Sequence, residues 1–409
     1  MTVARRAALG LALAAALGSP LVPRRARAQA VPIVLGALYP FSGALAVLGD
    51  ESFRGLELAV EERNSAGGLL GRPIRLVKGD AVSAKQAPDE VRRLIGTEHV
   101  SALLGTFESR LAAAATPIAE LAGIPYFELG AVADPIMDRG FKYLFRSCPV
   151  ASALAALTVA AVTDELAPLW AVDSRDLKLA IVAEDGLYGT TVSGWQAKAC
   201  RDRGLHVVES LSYSAASTDL ANAVQRLRAA AADVVLFTGY ANDTVAFFRQ
   251  FIQSGWRPRM VVGAGGGMAL QDTANAVGPD FEGAVCVGFT PYAVNVAAAP
   301  GAQSVQAYYE RKYGTKPRSG HSLANYVGAR LFLDAIGRAG SLDKDKLRAA
   351  ILATDIADGT TANGWGARFD ERGQNLRASP VLMQWQDGAP LTVLPPNAAV
   401  STLRPNMGA

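Results

Sequence analysis

The sequence predicts an α/β protein built as two doubly wound parallel-sheet lobes. Short apolar segments alternate with amphipathic ones, the pattern of a parallel sheet covered by helices on both faces. That alternation runs through one block near residues 33–127 and starts again in a block of similar size near 179–287. The chain has 409 residues, more than a single core usually organises.

The first block opens with a strand at 33–38 and a glycine-bearing loop from Ser42 to Gly49. A helix over about 51–63 follows, with Asp50 placed to cap it and Phe53, Leu56, Ala59 and Val60 along one side. Gly67 and Gly68 end it. Strand 74–77 then precedes helix 88–98, strand 102–104 precedes helix 111–121, and strand 125–127 closes the block. In the second block, strand 179–183 leads to helix 189–203 and strand 207–211, and helix 219–230 leads to strand 234–237. Helix 243–254, strand 260–262 and a strand at 284–287 complete it. The remainder is less regular, with helices at about 302–313, 322–339 and 343–352 and short strands around 367–369 and 380–385. These late elements must join one lobe or the other, so the chain crosses between lobes more than once. Repeated crossings make a hinge, and a hinge makes a cleft that can close on a ligand.

The N-terminus reads as an export signal. Arg5 and Arg6 precede an apolar run from Ala7 to Leu17, too short to span a bilayer, and Ala28-Gln29-Ala30 is a cleavage site. The paired arginines and weakly apolar core suggest the twin-arginine route, with an ordinary secretory signal as the alternative. No Cys lies near Ala30 to carry a lipid anchor, so the processed chain is expected to be freely soluble outside the cytoplasm. Residues 1–30 hold five of the 40 basic residues and none of the 37 acidic ones, so the remainder nets −2 rather than +3. That balance gives no reason to expect nucleic acid as a partner. No later uninterrupted apolar stretch reaches membrane-spanning length, so no stable membrane insertion is expected.

Catalytic chemistry finds no support. Cys148, Cys200 and Cys286 have no metal-ligand spacing and read as small buried hydrophobes, and His99, His206 and His321 are isolated. No GxSxG elbow occurs. The turn at 43–49 (GALAVLG) lacks a phosphate-loop pattern. The GAGGG run at 263–267 lacks the acidic residue a dinucleotide site needs, so close backbone approach explains its glycines more simply. No metal or cofactor is expected, and a nucleotide-using secreted enzyme is the weakest of the alternatives.

Binding finds more. Strand 102–104 runs through Gly105 into Thr106-Phe107-Glu108-Ser109 and a helix, so Ser109 stands where free N–H groups and the helix dipole favour an anion. The same position suits a plain capping serine. Tyr188 and Tyr240 follow the C-terminal ends of parallel strands, where open α/β sheets bind ligands. Two phenols facing a helix terminus would make a clamp.

Taken together, residues 36–50 (GALYPFSGALAVLGD), 55–71 (GLELAVEERNSAGGLLG), Asp80, 105–109 with Thr116-Pro117-Ile118-Ala119, Gly123-Ile124-Pro125, Tyr188-Gly189 and Ala324-Asn325-Tyr326 resemble the branched-chain amino-acid (Leu/Ile/Val)-binding protein family, type I periplasmic solute receptors of ABC importers. The resemblance spans the chain beyond the signal. It implies the periplasmic-binding-protein type I fold, with lobe one at 31–147 and 290–360, lobe two at 148–289 and 361–395, and a tail at 396–409. Three crossovers would lie near Cys148, Phe289 and Thr360. It implies a non-enzymatic receptor delivering a small ligand to a permease and its ATPase, or a sensor of the same fold coupled to a receptor kinase or chemoreceptor. In the family's amino-acid binders, a serine at the place of Ser109 holds the ligand carboxylate, and tyrosines at Tyr188 and Tyr240 reach in from the second lobe. Two departures follow. The family's threonine falls at Val132, or at Gly130-Ala131, and its acidic residue for the ammonium falls at Gly265-Gly266. Glu108 and Glu128 are candidate substitutes, though each is expected to be solvated. An amide, a urea-like solute or an organic acid therefore fits as well as an amino acid.

Overall fold

A computed structural model describes residues 30–217 and 219–408; the expected export signal, Ala30 apart, lies outside them. Strands β1 (Ile33–Tyr39), β2 (Ile74–Asp80), β3 (Leu103–Gly105), β4 (Tyr126–Glu128) and β5 (Leu144–Arg146) form one parallel sheet in the order β2-β1-β3-β4-β5. Helices α1 (Ala46–Ser65), α2 (Ala87–Gly96) and α3 (Ser109–Leu121) connect the first four strands. Helix α1 starts earlier than expected. Gly49 lies inside it, where a Cβ would stand 2.0 Å from the Pro40 carbonyl oxygen, and Asp50 pairs with Arg54 instead of capping.

The chain then crosses into the second half through α4 (Ala151–Ala160), a π-turn and α5 (Ala167–Leu169), elements the sequence pattern did not reveal. The run Ala151–Leu169 is long and apolar enough to cross a membrane, with mean hydropathy 1.3. In the fold its Leu154, Ala155, Val159, Val162 and Leu166 are buried in the main core. Strands β6 (Lys178–Glu184), β7 (His206–Tyr213), β8 (Val234–Thr238), β9 (Met260–Ala264) and β10 (Val285–Gly288) are parallel, joined by α6 (Leu187–Asp202), α7 (Ala221–Ala229), α8 (Ala241–Gln253) and α9 (Gln271–Val277).

After β10 the chain returns to the first half as α10 (Ala302–Tyr313), α11 (Gly320–Ala339) and α12 (Lys344–Leu352), with α11 against α1. The ladder of β11 (Asp355–Ile356) and β12 (Ala367–Arg368) follows. The third crossing comes later than Thr360. Arg146 N–H donates to Gly373 O and Asn375 N–H to Arg146 O, so this segment extends the first sheet beyond β5. The Gln374 and Asn375 amides fasten it to the carbonyls of Cys148 and Ser147. Only then do β13 (Val381–Gln386) and β14 (Ala389–Leu394) join the second sheet, antiparallel, in the order β14-β13-β10-β9-β8-β6-β7. The tail lies over that edge, with Trp170 Nε1 donating to Pro405 O and Gly408 N–H to Glu282 O.

The parallel strands of both sheets end at the gap between the halves. Close contacts span the gap, among them Gln271 N–H donating to Arg318 O at 2.9 Å and Arg318 pairing with Asp272 at 2.7 Å.

Candidate functional site

Glu128, at the end of β4 and 0% exposed, organises the first half's wall. Its carboxylate accepts from the N–H groups of Thr106, Phe107, Leu129, Gly130 and Ala131, at 2.7–3.1 Å. Burial raises its pKa while these N–H groups pull it back. The same bonds hold Phe107 at φ 77°, a backbone region costing an aromatic residue on the order of 1–3 kcal/mol. Phe107 and Val132 are thereby presented to the gap. Glu128 is therefore buried, against the expectation of a solvated carboxylate, and it does not line the cavity either.

Glu108 is also buried, at 2% exposure, rather than solvated. It, not Ser109, caps α3, its Oε2 accepting from Leu111 N–H at 2.7 Å. Its Oε1 accepts from Arg110 Nε at 3.2 Å and, across the gap, from the Tyr240 hydroxyl at 3.1 Å. Ser109 is buried beside this cap, its Oγ 3.4 Å from the Ala133 N–H.

From the second half, Tyr240 caps α8 by position and Tyr188 sits in the first turn of α6, their rings 5.4 Å apart. The Tyr188 hydroxyl donates to the Ala264 carbonyl. Burial raises both phenols well above their ordinary pKa, so both stay protonated donors. Gly265 and Gly266 have φ 75° and 52°, and a Cβ on Gly266 would stand 2.2 Å from Gly239 O. The glycine run thus serves close backbone approach within one half.

Between these walls lies a cavity of about 380 Å³, its opening to solvent included. The first half contributes Leu48, Phe107, Gly130, Val132 and His321; the second contributes Leu154, Tyr188, Tyr240, Ala264, Gly265, Gly266 and Gly288, with Phe289 at the crossover. None of these side chains carries a charge at neutral pH: burial pushes His321 down to about 4. A larger cleft of about 1050 Å³ sits among the crossover segments around Thr290, Trp365 and Arg377.

The structure therefore gathers Phe107, Gly130, Val132, Tyr188, Tyr240 and Gly265 on one cavity. Glu108 touches it through Tyr240, while Ser109 and Ala131 stand behind the wall. Leu48, Leu154, Phe289 and His321 were not singled out by the sequence reading for the site. Only their arrival by α1, α4, the second crossover and α11 brings them there. Among the described residues no cluster of His, Cys, Asp or Glu could hold a metal ion, and Cys148, Cys200 and Cys286 are buried thiols, raised to about 12, 11 and 12 by burial.

The family model for a periplasmic binding protein matches residues 32–389. The chain is 49% identical over 373 residues to Leu/Ile/Val-binding protein homolog 7 of Brucella suis, covering 91% of this chain and 94% of that one. Among solved structures, the leucine-binding protein LivK of Thermotoga maritima superposes with a TM-score of 0.78 at 22% identity, covering 88% of this chain and 97% of that one. An ABC-transporter solute-binding protein of R. palustris, in complex with benzoate, gives 0.77 at 21% identity, covering 93% and 99%. Relatives and neighbours are binding proteins rather than enzymes. The two-lobed parallel-sheet architecture and the resemblance read from the sequence both stand: the chain belongs to the periplasmic binding protein family, among the Leu/Ile/Val-binding protein homologues.

Proposed function

We propose that this protein captures a small amphipathic solute between its halves and presents the closed form to a membrane permease and its ATPase. The supporting observation is the cavity itself: aromatic and aliphatic walls, no charged lining side chain, and a Tyr240–Glu108 bond holding the halves together. Phe107, Gly130, Val132, Tyr188, Tyr240, Gly265 and His321 contact the ligand, while Glu108, Ser109 and Ala131 support these residues from behind the wall. Closure moves residues 31–147 with 290–377 against 148–289 with 378–408, about the three crossovers.

The lining favours a ligand with an apolar body and one oxygen-bearing end, an aromatic or aliphatic carboxylate or its amide. A zwitterionic amino acid would bury its ammonium with no carboxylate on the wall, a cost that aromatic acids avoid. The relatives' name and the benzoate-bound neighbour bracket these choices. A thermal-shift screen over amino acids, amides, ureas and aromatic acids tests the reading, because a ligand that binds only the folded state raises the unfolding temperature. Organic acids or amides should give the largest shifts; a response restricted to α-amino acids would refute this ligand class. For export we propose the twin-arginine route, tested by fusing residues 1–30 to a reporter in cells lacking that translocase. Unimpaired export there assigns the general secretory route instead.

A further inference from the structure

We propose that the Nε2–H of His321 is the donor that selects ligands bearing a carboxylate or carbonyl oxygen, in a tautomer fixed by the Ser319 hydroxyl. The inference rests on the cavity being the ligand site. His321 lies in the first turn of α11, on the cavity wall, between Phe107 and Phe289 at centroid distances of 6.2 and 4.8 Å. Its Nδ1 is 3.1 Å from Ser319 Oγ, and that oxygen already accepts from the His321 backbone N–H at 3.2 Å. Among the described residues Nδ1 is the one acceptor in reach of the Ser319 hydroxyl proton. Ser319 O–H therefore donates to Nδ1, which leaves the ring proton on Nε2.

The serine is itself fixed. The buried carboxylate of Glu51 accepts from the N–H groups of Arg318 and Ser319 and from the hydroxyls of Ser322 and Tyr309. Among the described residues Nε2 has no hydrogen-bond partner, yet it is not among the sealed side-chain atoms left without one, so it keeps open surface. An imidazole neutral at pH 7 in an apolar wall does not act as a counter-charge. It offers one directed hydrogen bond, which suits an oxygen acceptor and offers nothing to an ammonium. The other two polar side chains on the wall are committed, Tyr188 to Ala264 O and Tyr240 to Glu108.

The test is calorimetric titration of the processed protein with phenylacetate, 4-methylpentanoate and their amides. Wild type is compared with His321→Leu, His321→Gln, Ser319→Ala and Tyr188→Ala, each first checked for a cooperative unfolding transition. His321→Leu should lower affinity for all four probes by about tenfold or more, the loss of one hydrogen bond to a desolvated oxygen. His321→Gln, which keeps an N–H donor, should recover most of that. Ring ¹⁵N resonances of His321 supply a readout that needs no ligand: Nε2 carries the proton in wild type, and Ser319→Ala gives mixed tautomers. An Nδ1-protonated ring in wild type overturns the inference. So does undiminished affinity in His321→Leu alongside weakened binding in Tyr188→Ala, an outcome that leaves the cavity as the ligand site. Unchanged binding in Tyr188→Ala, or no binding of any probe to wild type, overturns the reading of the cavity and this inference with it.

Discussion

Glu128 and Arg146 stand opposite one another in register across β4 and β5, and between them hold both polarities of one loop. Glu128 takes the N–H groups of Leu129, Gly130 and Ala131, while Arg146 Nη1 donates to the carbonyls of Ala131 at 3.0 Å and Ala133 at 2.7 Å. Arg146 is 1% exposed, and its Nε reaches Gln374 Oε1 at 2.6 Å, beside the crossover at Cys148. The loop bearing Gly130 and Val132 is thus tied directly to the segment where the chain changes halves.

Replacing Arg146→Met should destabilise the protein by about 3 kcal/mol, because the carbonyls of Ala131 and Ala133 and the Gln374 Oε1 lose a buried charged donor. Urea unfolding checks this. A loss under about 1 kcal/mol would mean that the guanidinium merely fills space.

Tyr240→Phe removes the hydroxyl that reaches Glu108 across the gap and leaves the ring on the cavity wall. Ligand affinity should fall about tenfold with little change in unfolding free energy, because the closed form alone has that bond. Small-angle scattering should show a larger radius of gyration in the variant. Identical affinity and radius would contradict the latch.

Burial holds His321 near 4 against an ordinary 6.5. As pH falls, the unfolded chain takes the proton near 6.5 while the folded chain resists until about 4. The stability present above pH 6.5 is therefore lost between those values, by at most about 3 kcal/mol. Asp243, raised to about 6 mainly by burial, works the opposite way, since the folded chain takes its proton first. Comparison with His321→Gln cancels such contributions. Between pH 7 and 4.5 wild type should lose about 2 kcal/mol more than the variant in urea titrations; parallel losses would contradict a buried neutral ring.

The two parallel sheets and the place of two aromatic residues of the cavity wall were legible because they obey local rules. Strand–helix alternation marked both sheets, and Tyr188 and Tyr240 follow strands β6 and β8, where such sheets bind ligands. The rest depends on contacts distant in sequence. Glu128 reads as an ordinary carboxylate at a strand end until the loops after β3 and β4 fold their N–H groups around it. Ser109 looked like the anion holder, but the preceding Glu108 reaches Leu111 N–H first and turns the capping role to itself. His321 and Phe289 arrive from beyond the second sheet with no local pattern. The third crossing was misplaced because the Gln374 and Asn375 amides, not a run of apolar residues, keep that segment on the first sheet.

The most direct measurement is calorimetric affinity for two matched pairs, 4-methylpentanoate against leucine and phenylacetate against phenylglycine, each differing only by an amino group. In a cavity with no charged lining side chain, the acid should bind at least about tenfold tighter than its amino counterpart in both pairs. Tighter binding of leucine and phenylglycine would show that the ammonium finds a partner there, and would contradict an uncharged site for oxygen-bearing ligands.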